Sequence, residues 1–243
     1  MSIQTTWREP LTGPNSIPQA NQLLASLPED DRLRLSPYLR HIPLRCKQVV
    51  LRQGQPVEEV IFPIRGVCAL VKTTEDGHTI EIIGIGSEGA VGAGVVLGQW
   101  ESAADVVVQV SDEALSLPLD VFKRELQRRG ALSTVMVSYC HAFTTQLMQA
   151  GACNALHSAE QRCSRWLLTM QDRIQADGFP ITQEMLAMAL GVRRPTVTLI
   201  MAGLHRAGLV QYFRGAVKVL DRTALVARAC ECYPTLSPIS AGA

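Results

Sequence analysis

Aromatic residues are scarce, 5% of the 243, and charged residues make up only 19%. Beside 47% hydrophobic residues, so little charge excludes a disordered chain, and most of the sequence is expected to fold. Missing too is any apolar run of about 18 residues, the length a membrane helix needs. Met1 is followed by polar residues rather than by a basic patch and an apolar stretch, so no secretory signal is expected and the expected compartment is the cytoplasm, with no membrane partner. There is no nucleophile elbow, no Gly-Lys-Ser phosphate loop and no dinucleotide fingerprint, and the histidines (His41, His78, His141, His157 and His205) are dispersed. The chain is therefore not expected to be an enzyme, and no cofactor is expected.

Cysteine follows the same pattern of absence. None precedes Cys46, and the seven present, an odd number, have no framework spacing, which fits reduced thiols. Cys230-Glu231-Cys232 is one pair without the second pair of a zinc site, so it is taken as incidental and no metal is expected. Cys153 and Cys163 are expected to be buried packing residues.

What is present is unevenly spread. Residues 1–159 carry 13 Lys/Arg against 16 Asp/Glu, whereas residues 160–243 carry 10 against 6. From Arg193 to Arg228 seven basic residues face a single acid, Asp221, which suggests a polyanionic partner.

Pro10, Gly13, Pro14 and Pro18 make residues 1–20 an arm with little apolar periodicity. A short helical stretch from about Asn21 to Leu39 is broken at Pro28. Strand-like segments follow at Gln48–Leu51, Val60–Ile64, Val67–Thr73, Thr79–Ile85, Val106–Val110 and Ala114–Leu117, separated by turn signals such as Glu75-Asp76-Gly77. They make an antiparallel sandwich, jelly roll or barrel over residues 21–129. The glycines between Gly86 and Gly98 either expose backbone amides to a ligand or allow a sheet corner to pack tightly.

Residues 130–159 contain no Asp, Glu, Lys or Arg. Leu132, Met136, Tyr139, Phe143 and Leu147 recur every three or four residues, one stripe of a long helix. An uncharged circumference implies burial on more than one side, so the helix is expected to pack on its own domain and against its twin, with that stripe at the dimer interface. The helix and its linker occupy 130–177.

The last region, 178–243, opens at Gly178-Phe179-Pro180. Thr182 can cap a helix ending at Leu190, Gly191 allows a sharp turn, and a second helix runs from about Arg194 to Ala207 with Val192, Val197, Ile200 and Leu204 inward. Such a helix-turn-helix would present the N-terminal end of its second helix to the major groove, with Arg193, Arg194, Thr196 and Thr198 at bases or phosphates and Thr182 and Gln183 at phosphates. Leu209–Phe213 and Ala216–Leu220 form a hairpin wing with Arg214 at its tip and Lys218 on the returning strand, both suited to the DNA backbone.

A glycine-punctuated β-domain, a long uncharged helix, the Glu160-Gln161-Arg162 turn and a winged helix-turn-helix together resemble the Crp/Fnr family of bacterial transcription regulators. The resemblance covers roughly residues 20–230 and is most specific over Ile181–Leu209. It implies an α+β architecture with an N-terminal antiparallel jelly roll like a cyclic-nucleotide-binding domain, a dimerisation helix and a C-terminal winged helix-turn-helix. It further implies a homodimer on two-fold double-stranded DNA sites and allows RNA polymerase as a partner. Two departures matter. The recognition stretch is Arg193-Arg194-Pro195-Thr196-Val197-Thr198, lacking the glutamate and the later arginine common in the family. The effector pocket would be Gly89, Gly92, Ala93, Ser102 and Ala103, where Ala93 and Glu101 replace the groups that hold a cyclic phosphate, so control by cyclic AMP through the usual pocket is not expected and the effector is left open. The competing expectation is a ligand-binding or protein-interaction module whose DNA binding has degenerated.

Overall fold

Strand-forming residues between positions 40 and 118 build two antiparallel sheets. The computed structural model describes residues 21–213 and 215–238, so the expected arm and Arg214 lie outside the described residues. One sheet orders β1 (Arg40–Leu44), β7 (Asp112–Pro118) and β3 (Glu59–Pro63) as β1-β7-β3. The other orders β2 (Val49–Leu51), β6 (Asp105–Val110), β4 (Val67–Thr73) and β5 (Thr79–Ile85) as β2-β6-β4-β5. The two-residue side-chain period divides β3 between two cores: Ile61 joins Cys68, Val106, Val108 and Ala114 in one cluster, while Val60 and Phe62 join Leu115, Leu117 and the helices in another. Strand β1 was not legible, because Pro43 argues against a strand. It sits at a sheet edge, pairing only with β7, where a missing N–H breaks no ladder.

Helices cover the β1-β7-β3 side. Pro28 ends α1 (Gln22–Ala25) and starts α2 (Glu29–Leu35), as the sequence predicts. Asn21 is fully buried and serves twice: its Oδ1 caps α1 by accepting from Leu23 and Leu24 N–H, and its Nδ2 donates to the Pro63 and Gly89 carbonyls. The unforeseen α3 (Leu119–Gln127) buries Val121 and Phe122 against the same core.

Next comes α4 (Ala131–Leu156), the uncharged helix. Its regular stripe is used differently from the expectation. Leu132, Met136 and Tyr139 are buried within their own chain, Phe143 packs on the same cores and Leu147 is half-buried, so most of the stripe is spent on the chain's own β-domain. The β-domain supplies the nearest apolar wall, and each such side chain gains about 1.5–3 kcal/mol by meeting it. The outward face carries Thr134, Val137, His141, Thr145, Met148 and Ala152, all exposed.

The chain breaks at His157 and restarts with a capping box: Ser158 Oγ accepts from Gln161 N–H, and Gln161 Oε1 accepts from Ser158 N–H. This opens α5 (Ala159–Ile174), whose Trp166, Leu167 and Leu168 anchor the C-terminal core. That core holds α6 (Gln183–Leu190), α7 (Arg194–Arg206) and a sheet ordered β8 (Gly178–Pro180), β10 (Ala216–Val219), β9 (Val210–Phe213). Two further helices, α8 (Arg222–Arg228) and α9 (Tyr233–Leu236), follow among the described residues and were not foreseen. They also correct the view of Cys230 and Cys232 as an isolated pair, for α4 brings Cys153 and His157 beside them.

No single helix among the described residues is long and apolar enough to cross a membrane.

Candidate nucleic-acid interface

The helix-turn-helix forms for the reasons its sequence gives. Thr182 caps α6 by accepting from Met185 N–H at 3.2 Å, a bond worth about 1 kcal/mol. Gly191 ends the helix at φ 61°, in the left-handed region that glycine enters without steric cost. The axes of α6 and α7 are bent by 102°, within the range for this motif. Val197, Met201 and Leu204 are buried beneath α7, with Val192 and Ile200 partly buried beside them. Pro195 falls in the first turn, where its lack of an N–H leaves no bond unmade.

At the outer end of α7, Arg193, Arg194 and Thr198 are exposed, while Thr196 is half-buried. Arg194 Nη1 lies 3.0 Å from Glu184 Oε1, and its Nε donates to Gln183 Oε1 at 3.3 Å. Thr198 Oγ1 donates to the same Gln183 oxygen at 3.1 Å. Gln183, Arg194 and Thr198 are thus one hydrogen-bonded group, whereas Thr182 has its side-chain oxygen engaged as a helix cap. Lys218 is exposed on β10, the returning strand of the wing.

Two participants were missed. Glu184 holds Arg194, and backbone hydrogen bonding together with the Arg194 charge keeps its carboxyl below the usual range. Glu-to-Arg proximity across the turn depends on the helix angle, which no residue spacing announces. Leu199 is exposed on α7 beside the polar group. Its signal was available, since position 199 falls outside the inward set 192, 197, 200 and 204.

Of the expected effector-pocket residues, Gly89, Gly92, Ser102 and Ala103 each have close neighbours within the chain. Gly89 is buried, and a Cβ there would stand 2.6 Å from Tyr139 Oη, so its lack of a side chain admits α4 rather than a ligand. Gly92 is at φ 84°, before the 3-10 turn that begins at Ala93. Ser102 Oγ donates to the Ala104 carbonyl at 2.6 Å, and the Ala103 carbonyl accepts from Lys72 Nζ at 2.6 Å.

The glycine-rich stretch instead receives α5. Arg173 Nε pairs with Glu88 Oε1 at 2.7 Å, both side chains being 4% exposed, and a Cβ at Gly84 or Gly86 would crowd the arginine at 2.8 or 3.1 Å. Trp166 Nε1 donates at 3.1 Å to Glu81, which also accepts from Gln109 Nε2. Burial pushes the Glu81 carboxyl above its usual value, against these two donors and the charges of Arg173 and Arg165. Finally, Ile80 of β5 abuts Gly191, where a Cβ would be only 2.7 Å from Ile80 Cδ1. The sheet that ends in β5 therefore meets α5 and the helix-turn-helix in a buried joint that holds charged groups.

Residues 41–129 match the family described as a cyclic nucleotide-binding domain, and residues 161–228 match the Crp-like helix-turn-helix domain. A transcriptional regulator of the Crp/Fnr family from Eubacterium rectale superposes with a TM-score of 0.67 at 15% identity, covering 86% of this chain and 98% of that one. FixK2 from Bradyrhizobium japonicum gives 0.66 at 13% identity, with 79% and 98% covered. TTHB099, a CRP-family regulator from Thermus thermophilus, gives 0.64 at 18%, with 77% and 96% covered. No curated protein matches significantly.

Proposed function

Because the chain belongs to the Crp/Fnr family of transcription regulators, we propose that it binds two-fold DNA sites as a homodimer and is not controlled by cyclic AMP through the usual pocket. The observation that carries this is the exposed polar end of α7, where Arg193, Arg194 and Thr198 are open to solvent, together with the exposed Lys218 on the wing strand β10. Arg194 has the fork geometry for guanine O6 and N7, Leu199 offers an apolar contact for a thymine methyl group, and Lys218 suits a phosphate. Arg194 would exchange its Glu184 and Gln183 partners for the base, so Glu184 also acts against DNA sites that offer no guanine there. Arg214, which falls between the two wing strands in sequence, would add a backbone contact.

The two subunits would meet along the outward face of α4, through Val137, Met148 and their uncharged neighbours. Functional boundaries would then fall as expected from the sequence: a regulatory β-domain at 21–129, the helix and linker at 130–177, and DNA binding at 178–243. A ligand that moved β5 would act on the recognition unit through Glu81–Trp166, Glu88–Arg173 and Ile80–Gly191. The family and its structural relatives are regulators rather than catalysts, and the protein would act by binding, without catalysis, in the cytoplasm.

Fluorescence anisotropy on a random-sequence duplex at 50 and 200 mM salt tests the first step. Phosphate contacts release counterions, so affinity should fall steeply with salt. A protein-interaction module would instead show no DNA binding at either salt. Adding cyclic AMP should change neither affinity nor tryptophan emission; saturable binding of that nucleotide would contradict the effector part alone.

A further inference from the structure

Four soft donor groups converge where the C-terminal end of α4 meets the segment after α8. Cys153 and His157 stand one helical turn apart on that end, and Cys230 and Cys232 flank Glu231 opposite them. One ligand atom from each lies within 4.8 Å of the other three. Cys153 Sγ is 3.5 Å from Cys230 Sγ, and His157 Nδ1 is 3.6 Å from Cys232 Sγ. A tetrahedral ion with metal–sulfur bonds of about 2.3 Å and a metal–nitrogen bond of about 2.0 Å separates sulfur pairs by roughly 3.8 Å and a sulfur–nitrogen pair by roughly 3.5 Å. The two observed separations are close to those edges.

The surroundings match as well. His157 Nε2 lies 2.9 Å from Glu231 Oε1, which orients the ring with Nδ1 toward the sulfurs, the carboxylate–imidazole arrangement that supports metal-bound histidines. Gln149 Nε2 donates to Cys232 Sγ at 3.0 Å, a bond suited to a thiolate acceptor. Cys153, Cys230 and Cys232 are all buried, so the donor set is closed and leaves no open coordination position. All four donors fit around one ion, whereas an iron–sulfur cluster places several metals between its cysteines and needs them farther apart.

We propose that Cys153, His157, Cys230 and Cys232 bind one zinc ion per chain in a structural Cys3His site. Each coordinating thiol gives up its proton to solvent as the ion binds. The ion joins the end of α4 to the C-terminal segment, which Gln146 already holds by donating to the Ser237 carbonyl at 2.8 Å. It thereby fixes α8 and α9 against the long helix, and it does so whether or not the protein binds DNA.

Cobalt(II) titration of the full-length protein, stripped of metal by a chelator under reducing conditions, tests this directly. The expected result is one equivalent per chain, with the intense visible bands of tetrahedral cobalt, thiolate-to-cobalt charge-transfer bands in the near ultraviolet, and displacement of both by zinc. Glu231→Gln alters an exposed side chain and should weaken cobalt affinity about 10- to 100-fold, whereas Cys46→Ser, remote and exposed, should leave the titration unchanged. Cys230→Ser should lose part of the charge-transfer intensity. A pale octahedral spectrum from the wild-type protein, or no saturable binding, overturns the proposal even if a cysteine variant fails to fold.

Discussion

Arg194 stands between two sets of partners: Gln183 and Glu184 hold it in the free protein, and a guanine edge would hold it on DNA. Arg194→Ala should therefore cost about 1–3 kcal/mol on the preferred site and relax its sequence preference. Lys218→Ala, losing a phosphate contact, should weaken preferred and random DNA alike and lower the salt slope by about 1. Competition binding on both duplexes measures this, and equal losses for both variants on both DNAs would contradict the division of roles.

Glu81 is the other residue with a sharp consequence. Burial raises its pKa above the usual 4.5, so the folded chain holds the proton more tightly than the unfolded chain does. Stability from that neutral form is fully present below 4.5 and is lost as the pH rises through the raised folded value. Glu81→Gln keeps a carbonyl acceptor for Trp166 and removes the titration. The melting temperature of the wild type relative to this variant should fall as the pH rises through that window, and a pH-independent difference would contradict the assignment.

Among the elements, α4 shows what periodicity can and cannot tell. The stripe Leu132, Met136, Tyr139 and Phe143 was legible as a packing face, whereas burial of a second side, expected from the lack of charge, rests on the proposed dimer. Which face meets which partner was not legible, because apolar side chains suit a sheet and a second helix equally. Introducing glutamate at both Val137 and Met148 should give monomers by sedimentation while the fold persists, whereas a charge at Phe143 should instead destabilise the chain. An unchanged sedimentation mass for the double variant would sink the outward seam. The turn chemistry was more directly readable: Thr182, Gly191 and Pro195 each act by a local rule, so α6 and α7 fall within a residue or two of their expected bounds. The glycines before position 90 gave a weaker signal, since a glycine can admit either a ligand or a neighbouring helix. Here Gly84 and Gly86 admit Arg173. Gly86→Ala should cost about 1–3 kcal/mol by overpacking, and Arg173→Met about 3–5 kcal/mol by leaving Glu88 buried and unpaired. Denaturant titration checks both losses.

At the scale of the molecule, contacts distant in sequence do what no local pattern reveals. Position 81 meets 166, position 88 meets 173, and position 153 meets 230. The first two join the β-domain to α5, whose Trp166 packs in the core of the recognition unit, and the third joins the long helix to the C-terminal segment. The order of parts (strands, long helix, helix-turn-helix, wing) was legible because each has its own period and turn residues. The joint was not, because its pieces are single polar residues in otherwise apolar runs.

Together these parts would read specific two-fold DNA. Selection of genomic fragments with the purified full-length protein, at low and moderate salt and without added ligand, tests it most directly. One shared motif is expected, with half-sites about one helical turn apart, roughly 34 Å, that survives the higher salt and is lost with Arg194→Ala. Fragments with no common motif, retained equally by the wild type and Arg194→Ala, would contradict it.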